Sequence, residues 1–349
     1  MEEFYEKLSL NDVVQIIDEA ESALVLCHRN PDGDAVGSAL ALCEIFRLLG
    51  KKAKAVCDSA VPSYLEFLAG DESLRYEPGL EDDFDYIISV DVASPGQLGT
   101  LGHLADITDI MIDHHASGEP FADNLIVPDA SAAGEIIFKI YEAFRSENRI
   151  PESPTVARLL FAAVSSDTGS FKYNNTTPET FLIASKLLSE INSAGDGKIS
   201  ADEISRLLHD TVTVNEMKAQ NALWSCVEFF EDGALAVCTV TRKMMERCSV
   251  SDEDTSAAVD IPRKIKGVLV AVALKQRRDD PAKFRISARS NADIDVSEIC
   301  AAFGGGGHVR AAGGELTAKN SKEAVDIASA AFGEAVRRYV SEKKGGTEH

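Results

Sequence analysis

The sequence predicts an α/β protein of two domains, an N-terminal domain built on a parallel sheet and a smaller C-terminal α/β domain. Two observations predict this fold. Apolar runs of strand length alternate with stretches of helical apolar spacing, which is the pattern of a parallel sheet covered by helices on both faces. With 349 residues, of which 45% are hydrophobic and 26% charged, the chain is also long enough for two globular cores.

The first half of the chain supplies the elements of the parallel sheet. The apolar run at 23–27 predicts a strand, and the helical spacing over 34–49 ends at Gly50, a residue type common just after helix C-termini. A strand at 53–57 completes a strand–helix–strand unit. The other predicted elements of this half are helices at 11–22, 131–146, 154–166 and 178–190 and strands at 86–90 and 109–112.

The second half of the chain predicts a separate α/β domain. We place the first domain at residues 1–190, a helical linker at 191–215 and the second domain at 216–349, because residues 192–200 are rich in Gly, Ser and Asp. We expect the tail at 343–349 to be disordered. The predicted elements are helices at 201–222, 241–248, 295–302 and 321–340 and strands at 234–240, 267–274 and 284–288.

Composition excludes several classes of protein. A formal net charge of −22 disfavours a processive binder of long DNA or RNA, since nonspecific affinity for nucleic acid comes from Lys and Arg. A small anionic substrate met by a local cluster of cations is compatible with this charge. Seven cysteines without a C-x-x-C pair, an acidic N-terminus and the lack of any membrane-length apolar run predict a cytoplasmic protein with no metal on sulfur and no membrane contact.

Three predicted strands end in carboxylates or imidazoles. Because strand carboxyl ends of an open parallel sheet face one crevice, these side chains should converge there. An aspartate taken singly would be a helix cap or turn residue, but caps do not explain the accompanying histidines. Mixed carboxylate and imidazole ligands suit manganese or a similar divalent ion, and paired ions suit phosphoryl transfer. The candidates are His28, Asp32, Asp34, Asp91, Asp113, His114 and His115, with Asp167 from a helix end.

A second candidate site lies in the C-terminal domain, where Gly304–Gly307 precede His308. Four glycines let backbone N–H groups approach a phosphate without interference from Cβ atoms. Arg289, at the end of a predicted strand, adds a forked cation that matches phosphate oxygens. The alternative is a flexible linker or a tight turn. We favour phosphate binding because the run continues into another apolar element.

These residues resemble the motifs of a known family, the DHH phosphoesterase superfamily with its DHH-associated C-terminal domain. The N-terminal motifs are His28-x-x-Pro31-Asp32-x-Asp34, Asp91, Asp113-His114-His115 and Asp167-Thr168-Gly169. The C-terminal ones are Arg289-Ser290 and the run Gly304, Gly305, Gly306, Gly307 and His308. The resemblance spans about residues 20–316. It implies a hydrolase of phosphate esters whose active site lies in the cleft between a parallel-sheet domain and a smaller α/β domain.

The resemblance also implies a role for each residue. Family members usually need Mn²⁺, and two ions would be held by His28, Asp32, Asp34, Asp91, His114 and Asp167. Asp91 would lie between the ions, Asp113 would orient a histidine ligand and His115 would contact the scissile phosphate. Substrate would be bound by Arg289, Ser290, Gly304, Gly305, Gly306, Gly307 and His308. Arg29 and Ser38 are weaker candidates for phosphate contacts.

Length and layout resemble most the stand-alone members that act as nanoRNases and pAp phosphatases. The implied substrates are short oligoribonucleotides, linear dinucleotides such as pGpG and pApA, and 3′-phosphoadenosine 5′-phosphate. Three alternatives stay open: a phosphodiesterase of cyclic dinucleotides such as c-di-AMP, a RecJ-like exonuclease on longer single strands, and a nucleotide sensor without activity. The chain departs from the family at Gln97, where relatives often have Arg, and at Ala132-Ala133, where Ser or Thr is commoner. A homodimer also stays open.

Overall fold

The computed structural model describes residues 5–70, 72–116, 118–250 and 255–345. The chain divides into two compact units, Met1–Thr211 and Val212–His349, and this division lies inside the predicted linker at 191–215. Each unit has its own sheet and its own apolar clusters, so the predicted α/β fold with two domains is confirmed. Among the helices of the described residues, none combines the length and apolar composition that a membrane span requires.

The first unit is built on a five-stranded parallel sheet in the order β2-β1-β3-β4-β5. Its strands are β1 (Ser22–Leu26), β2 (Lys52–Val56), β3 (Tyr86–Val90), β4 (Ile110–Asp113) and β5 (Asp123–Ile126). The first four were predicted at nearly these positions. The sequence analysis missed β5, because this four-residue strand begins with Asp123 and Asn124 and so lacks an apolar run.

Helices cover one face of this sheet, and a long irregular segment covers the other. Ala23 and Val25 belong to the apolar cluster of the helical side, whereas Leu24 and Leu26 pack with the 3₁₀ segment Pro95–Ile107. This alternation is what a strand buried on both faces requires. The described helices of the unit are α1 (Leu10–Glu19), α2 (Gly33–Leu48), α3 (Glu66–Ala69), α4 (Ala133–Ser146), α5 (Pro154–Asp167), α6 (Pro178–Ser193) and α7 (Ala201–Ser205).

The second unit contains a six-stranded mixed sheet in the order β10-β11-β9-β8-β7-β6. Only the pair β7–β8 among these strands is parallel. The strands are β6 (Val227–Phe230), β7 (Leu235–Val240), β8 (Val270–Gln276), β9 (Lys283–Ser290), β10 (Gly306–His308) and β11 (Ala311–Thr317). The helices are α8 (Val214–Ser225), α9 (Arg242–Cys248), α10 (Asp260–Arg263), α11 (Val296–Ala301) and α12 (Ser321–Gly345).

Two predicted elements are wrong in detail. The helix expected over 201–222 is interrupted, because a π-helical turn at Arg206–Asp210 follows α7 and Thr213 then caps α8 through its side chain. The β-branched run at 211–214 disfavours a continuous helix. The tail expected to be disordered from 343 is helical as far as Gly345, where α12 ends. Residues 346–349 of that tail lie outside the described residues.

Candidate metal centre

The carboxyl ends of β1, β3 and β4 lie at one edge of the first sheet. The strand order runs outwards from β1 in both directions, so β1 and β3 flank the point at which open α/β sheets bind ligands. His28 follows β1, Asp91 directly follows β3, and Asp113 is the last residue of β4. The topology therefore brings the three predicted strand-end motifs together.

One group of candidate ligand atoms lies where β1 leads into α2. His28 Nε2 is 3.8 Å from Asp32 Oδ1 and 3.6 Å from Asp91 Oδ2. Asp32 is also the N-cap of α2, since its carboxylate accepts hydrogen bonds from the N–H groups of Asp34 and Ala35 at 3.0 Å. Capping fixes this carboxylate beside the imidazole, so the cap and the candidate ligand are the same residue.

A second group lies around His114, next to the first. His114 Nε2 is 3.4 Å from Asp167 Oδ2, 3.5 Å from Asp91 Oδ1 and 3.8 Å from Asp34 Oδ2. The ligand atoms of His28, Asp32 and Asp91 all lie within 4.8 Å of one another, and so do those of Asp34, His114 and Asp167. Asp91 contacts both groups, one oxygen toward each histidine, which is the placement predicted for a bridging carboxylate.

Asp91 occupies this position through an unusual backbone conformation. Its φ is +59°, in the left-handed region that aspartate and asparagine tolerate better than most other residues. Asp91 is only 2% exposed, and its N–H donates to Ile112 O at 3.0 Å. Residues held in sparsely populated backbone regions cluster at functional sites. The chain therefore bends sharply after β3 in the place where Asp91 meets both histidines.

Asp34 is held by a helix N-terminus that is distant in sequence. Its carboxylate accepts hydrogen bonds from Ala133 N at 2.6 Å and Gly134 N at 2.9 Å, the first residues of α4, and from Ser38 Oγ at 2.8 Å. Free N–H groups at a helix start favour an anion there. Ser38 is fully buried, so its expected role as a phosphate contact is wrong, and it instead holds Asp34.

Asp113 holds a histidine, and that histidine is His115. The carboxylate is fully buried at the end of β4, and His115 Nδ1 donates to Asp113 Oδ1 at 2.8 Å. The expectation that Asp113 orients one of the predicted metal ligands therefore does not match its observed hydrogen bond. His115 keeps 40% of its side chain exposed, so its Nε2 edge is available to a bound molecule.

The cluster attracts protons strongly when no cation occupies it. Burial opposes the charge of His28, but the nearby carboxylates of Asp32 and Asp91 outweigh this effect and raise its pKa to about 11. His114 behaves in the same way beside Asp91 and Asp34, with a pKa raised to about 10. Burial raises the pKa of the Asp167 carboxyl to about 6. The site thus favours positive charge at its centre.

The donor set fits divalent cations. Five carboxylates converge with three imidazoles, so with every carboxyl ionised the negative charge exceeds that of three protonated histidines by two. Within the described chain, neither Asp91 Oδ1 nor Asp113 Oδ2 has a hydrogen-bond partner, although both atoms are buried. Separations of 3.4–3.8 Å are too long for hydrogen bonds, yet ligands about 2.1 Å from one ion lie roughly 3–4 Å apart. These residues could therefore hold metal.

Most site residues predicted in the second unit lie on its sheet, whereas Gly304 and Gly305 lie just before β10. Arg289 on β9 pairs with Ala311 on β11, and Ala311 pairs with His308 on β10. Directly paired residues point to the same face of a sheet, so Arg289, Ala311 and His308 form a row across three strands. The Cα atoms of Arg289 and His308 are therefore about 10 Å apart, with only the methyl group of Ala311 between the two side chains. His308 and the glycines 304–307 are exposed. This row matches the surface predicted for a phosphate.

Ser290 differs from its predicted neighbours in the second unit. It is buried, its hydroxyl donates to Ala292 O at 2.7 Å, and it accepts from Ala292 N at 3.2 Å. The expected contact of Ser290 with substrate therefore conflicts with its position, because the hydroxyl closes the turn after β9. Arg289 remains the residue of this pair that reaches the surface.

The departures from the family pattern have local explanations. Gln97 accepts a hydrogen bond from Ala93 N at 2.5 Å and so stabilises the turn after Asp91. Ala132 is the N-cap of α4, and its methyl side chain cannot accept a hydrogen bond from the first N–H groups of the helix. The carboxylate of Asp34 accepts those bonds instead. Arg29, a weaker candidate for phosphate binding, is exposed beside the site.

The sequence analysis missed one polar contact close to the site. His209 Nε2, in the π-helical turn, lies 3.0 Å from Ser165 Oγ in the last turn of α5, two residues before Asp167. No local pattern indicates this contact, since the two residues are 44 positions apart and neither lies in a motif. The amide groups of Ala133 and Gly134 were missed for the same reason.

The fold and the site define a two-domain enzyme class in which a carboxylate and imidazole cluster lies at the edge of a parallel sheet. Comparisons with known proteins agree. The chain matches the family model described as DHH family, N-terminal domain, over residues 22–164, and the DHHA1 domain over residues 234–334. The chain belongs to the DHH family, and it is a phosphoesterase, a hydrolase.

Two curated relatives match most of the chain. The bifunctional oligoribonuclease and PAP phosphatase NrnA of Thermus thermophilus is 28% identical over 320 residues, which cover 90% of this chain and 89% of that protein. The probable bifunctional oligoribonuclease and PAP phosphatase NrnA of Streptococcus mutans is 30% identical, with 84% and 89% covered. A solved structure of an exopolyphosphatase-related protein from Bacteroides fragilis has a TM-score of 0.78 at 24% identity, covering 95% and 96%, and supports the fold.

Proposed function

We propose that this protein is a Mn²⁺-dependent phosphoesterase that hydrolyses short oligoribonucleotides, linear dinucleotides among them, to mononucleotides. We include 3′-phosphoadenosine 5′-phosphate as a second substrate, converted to AMP. The observation that carries the proposal is the pair of adjacent ligand groups that share Asp91. The substrate class is supported by the two relatives named as bifunctional oligoribonucleases and PAP phosphatases, which align with nearly the whole chain.

Six residues would hold two cations in this proposal. His28 and Asp32 would hold one, and Asp34, His114 and Asp167 the other, with Asp91 between them. Manganese is supported by the mixture of imidazole and carboxylate donors, since all-oxygen sites suit magnesium and calcium better. Divalent ions held by these residues would lower the pKa of a water and neutralise the charge that develops on a transferred phosphoryl group.

The residues of the chain orient the groups that react. The bond from His115 Nδ1 to Asp113 fixes the plane of the ring and directs its other nitrogen, Nε2, outward. From there Nε2 would donate to an oxygen of the scissile phosphate, and the buried Asp113 carboxylate would stabilise the positive charge on the ring. Asp34 would keep its position throughout, because the α4 amides bind it whether or not substrate is present.

The second unit would capture the far end of the substrate. Its row of the half-buried Arg289 and the exposed His308 offers a forked cation and an imidazole, and the exposed glycines 304–307 let a phosphate approach the backbone without meeting a side chain. Capture of a terminal phosphate by the second unit would favour short substrates, because the ends of a short substrate lie close to its scissile bond. We keep the boundaries 1–190, 191–215 and 216–349 as the domain proposal.

A cytoplasmic location and a soluble, nucleotide-sized partner complete the proposal. All seven cysteines are unpaired, which is the usual state in a reducing compartment. The net charge of −22 is compatible with a short anion but opposes long nucleic acid.

A product panel tests the proposal. Purified protein with Mn²⁺ is incubated with pApA, a 24-nucleotide RNA, c-di-AMP and 3′-phosphoadenosine 5′-phosphate, and the products are separated by chromatography. We expect pApA to be hydrolysed faster than the 24-mer and faster than c-di-AMP. Faster turnover of the 24-mer would indicate an exonuclease of longer strands, and faster turnover of c-di-AMP a cyclic dinucleotide phosphodiesterase. Binding of all four without turnover would indicate a sensor.

A further inference from the structure

We propose that Tyr173 is a stacking platform for the nucleobase next to the scissile phosphate. This inference rests on the proposed function, because it assumes a nucleotide substrate at the cluster. Tyr173 is not among the predicted metal and phosphate residues, and it is 60% exposed. Its backbone, its ring and the segment around it are each fixed by contacts close to Asp167.

The backbone of Tyr173 is tied to the residue that follows Asp167. After α5 ends at Asp167, the chain turns through three successive residues with φ between +55° and +63°, Gly169 to Phe171. Thr168 O then accepts the N–H groups of Lys172 at 2.9 Å and Tyr173 at 3.0 Å. This turn brings Tyr173 back toward the C-terminus of α5, where Asp167 lies.

The ring of Tyr173 packs on Gly169. A Cβ atom at Gly169 would overlap the ring atoms Cζ, Cε1 and Cε2, so the ring occupies the place of the missing side chain. Gly169 is two residues from Asp167, a span of at most about 7 Å along the chain. The ring is therefore covered by the turn on one side, open to solvent elsewhere, and close to a candidate metal ligand.

The segment that carries Tyr173 is firmly held. Asn175 Nδ2 donates to Asp167 O at 3.1 Å and to Ser131 O at 3.0 Å, which ties the end of the segment to both α5 and the start of α4. Phe171 stacks on Phe181 with ring centroids 5.5 Å apart. An aromatic ring on a fixed backbone loses little conformational entropy when it binds a ligand.

Stacking suits the electrostatics of this protein. A net charge of −22 repels the phosphates of any nucleotide, so affinity must come from local positive groups such as Arg289 and bound cations, and from contacts that do not depend on charge. Base–aromatic stacking is such a contact, and it tolerates every base because each has a π-face. A stacking site beside the cluster would let one enzyme accept short RNAs of mixed sequence.

The test compares Tyr173→Ala with Tyr173→Phe on pApA and on its abasic analogue, a phosphate ester that carries no nucleobase and no other aromatic ring. We expect Tyr173→Ala to raise the KM for pApA by about 5- to 150-fold, the range for one lost base stack, with a smaller change in kcat. Tyr173→Phe should stay within about two-fold of the wild type. On the base-free ester, both variants should match the wild type.

Phe229→Ala is the matched control, since Phe229 is 52% exposed on β6 in the second unit and should affect neither substrate. A second readout is the equilibrium binding of a dinucleotide that contains the fluorescent base 2-aminopurine, measured in the Asp91→Asn background. Stacking on Tyr173 should quench the fluorescence of this base. The additional change Tyr173→Ala should abolish the quenching.

Two outcomes overturn the platform. The first is an unchanged KM for pApA together with unchanged quenching in Tyr173→Ala. The second is an equal loss of activity on the base-free ester, which would show that Tyr173 has a structural role. If the wild type hydrolyses no nucleotide but Tyr173 still quenches the bound dinucleotide, the proposed function fails and the platform stands.

Discussion

The edge of the first sheet and the glycine-rich row of the second unit both carry predicted site residues, but they are built differently. Asp34, Asp91 and Asp113 are buried, and hydrogen bonds hold Asp34 and Asp113 in place. His308 and the glycines 304–307 are exposed, and Arg289 Nη1 donates to the neighbouring carbonyl of Ala288 at 3.0 Å. The first region is fixed before substrate arrives, whereas the second offers a surface.

This difference indicates a division of labour. Groups that stabilise a transition state must be held in advance, because reorganisation at the moment of reaction costs free energy. Groups that capture the end of a substrate need access more than rigidity. We therefore expect changes at the sheet edge to lower kcat and changes in the second unit to raise KM. Each prediction below tests one side of this division.

The largest effect is expected for Asp91→Asn. Asparagine tolerates the left-handed backbone at this position, so the variant removes a charge without straining the turn. Losing the shared carboxylate should cost several kcal/mol of transition-state stabilisation, which corresponds to a fall of about 1000-fold or more in kcat on pApA. Circular dichroism and thermal unfolding should show an intact, cooperative fold.

Asp106→Asn provides the control, since Asp106 is an exposed carboxylate of the same unit. It should leave kcat within about two-fold of the wild type. Near-normal turnover by Asp91→Asn would show that the carboxylate does not bridge the ligand groups, and the contrast between the two regions would lose its basis.

The strand-end residues of this site could be predicted because local patterns carry them. Apolar runs mark β1, β3 and β4, and the polar residues that end each run must meet at one sheet edge. His28, Asp91 and His114 were predicted in this way, and the structure brings them together. Their role as metal ligands stays a prediction.

Other parts of the site depend on contacts that no local pattern records. Asp34 is bound by Ala133 and Gly134, which lie 99 and 100 positions away. The strand β10 is three residues long, two of them glycine, so its pairing with β11 has no apolar signature. Such features follow from tertiary packing, which sequence periodicity does not encode.

An intermediate effect is expected for Arg289→Ala and for His308→Ala. A hydrogen bond to a charged group contributes about 1.5–3 kcal/mol, so the KM for pApA should rise by about 10- to 150-fold while kcat changes little. The loss should be much smaller for ApA, which lacks the terminal phosphate. Steady-state kinetics on both dinucleotides measure this difference.

Arg338→Ala, at an exposed arginine of α12, is the matched control for lost positive charge and should leave both KM values unchanged. An equal rise in KM for pApA and ApA would assign Arg289 to a base or sugar contact. An unchanged KM would remove the second unit from substrate capture.

The smallest effects are expected within the glycine run, where a substitution can act either on stability or on phosphate binding. A Cβ at Gly305 would overlap Gly313 O, a backbone atom that cannot move away, whereas nothing lies within 4 Å of a Cβ at Gly306. Gly305→Ala should therefore destabilise the protein by about 1–3 kcal/mol in urea unfolding, and Gly306→Ala by no more than about 0.5 kcal/mol. If Gly306→Ala nevertheless raises the KM for pApA, the exposed glycine serves the close approach of a phosphate. Equal stability of the two variants would show that β10 does not pack on β11 as described, and the row that joins Arg289 to His308 would then not exist.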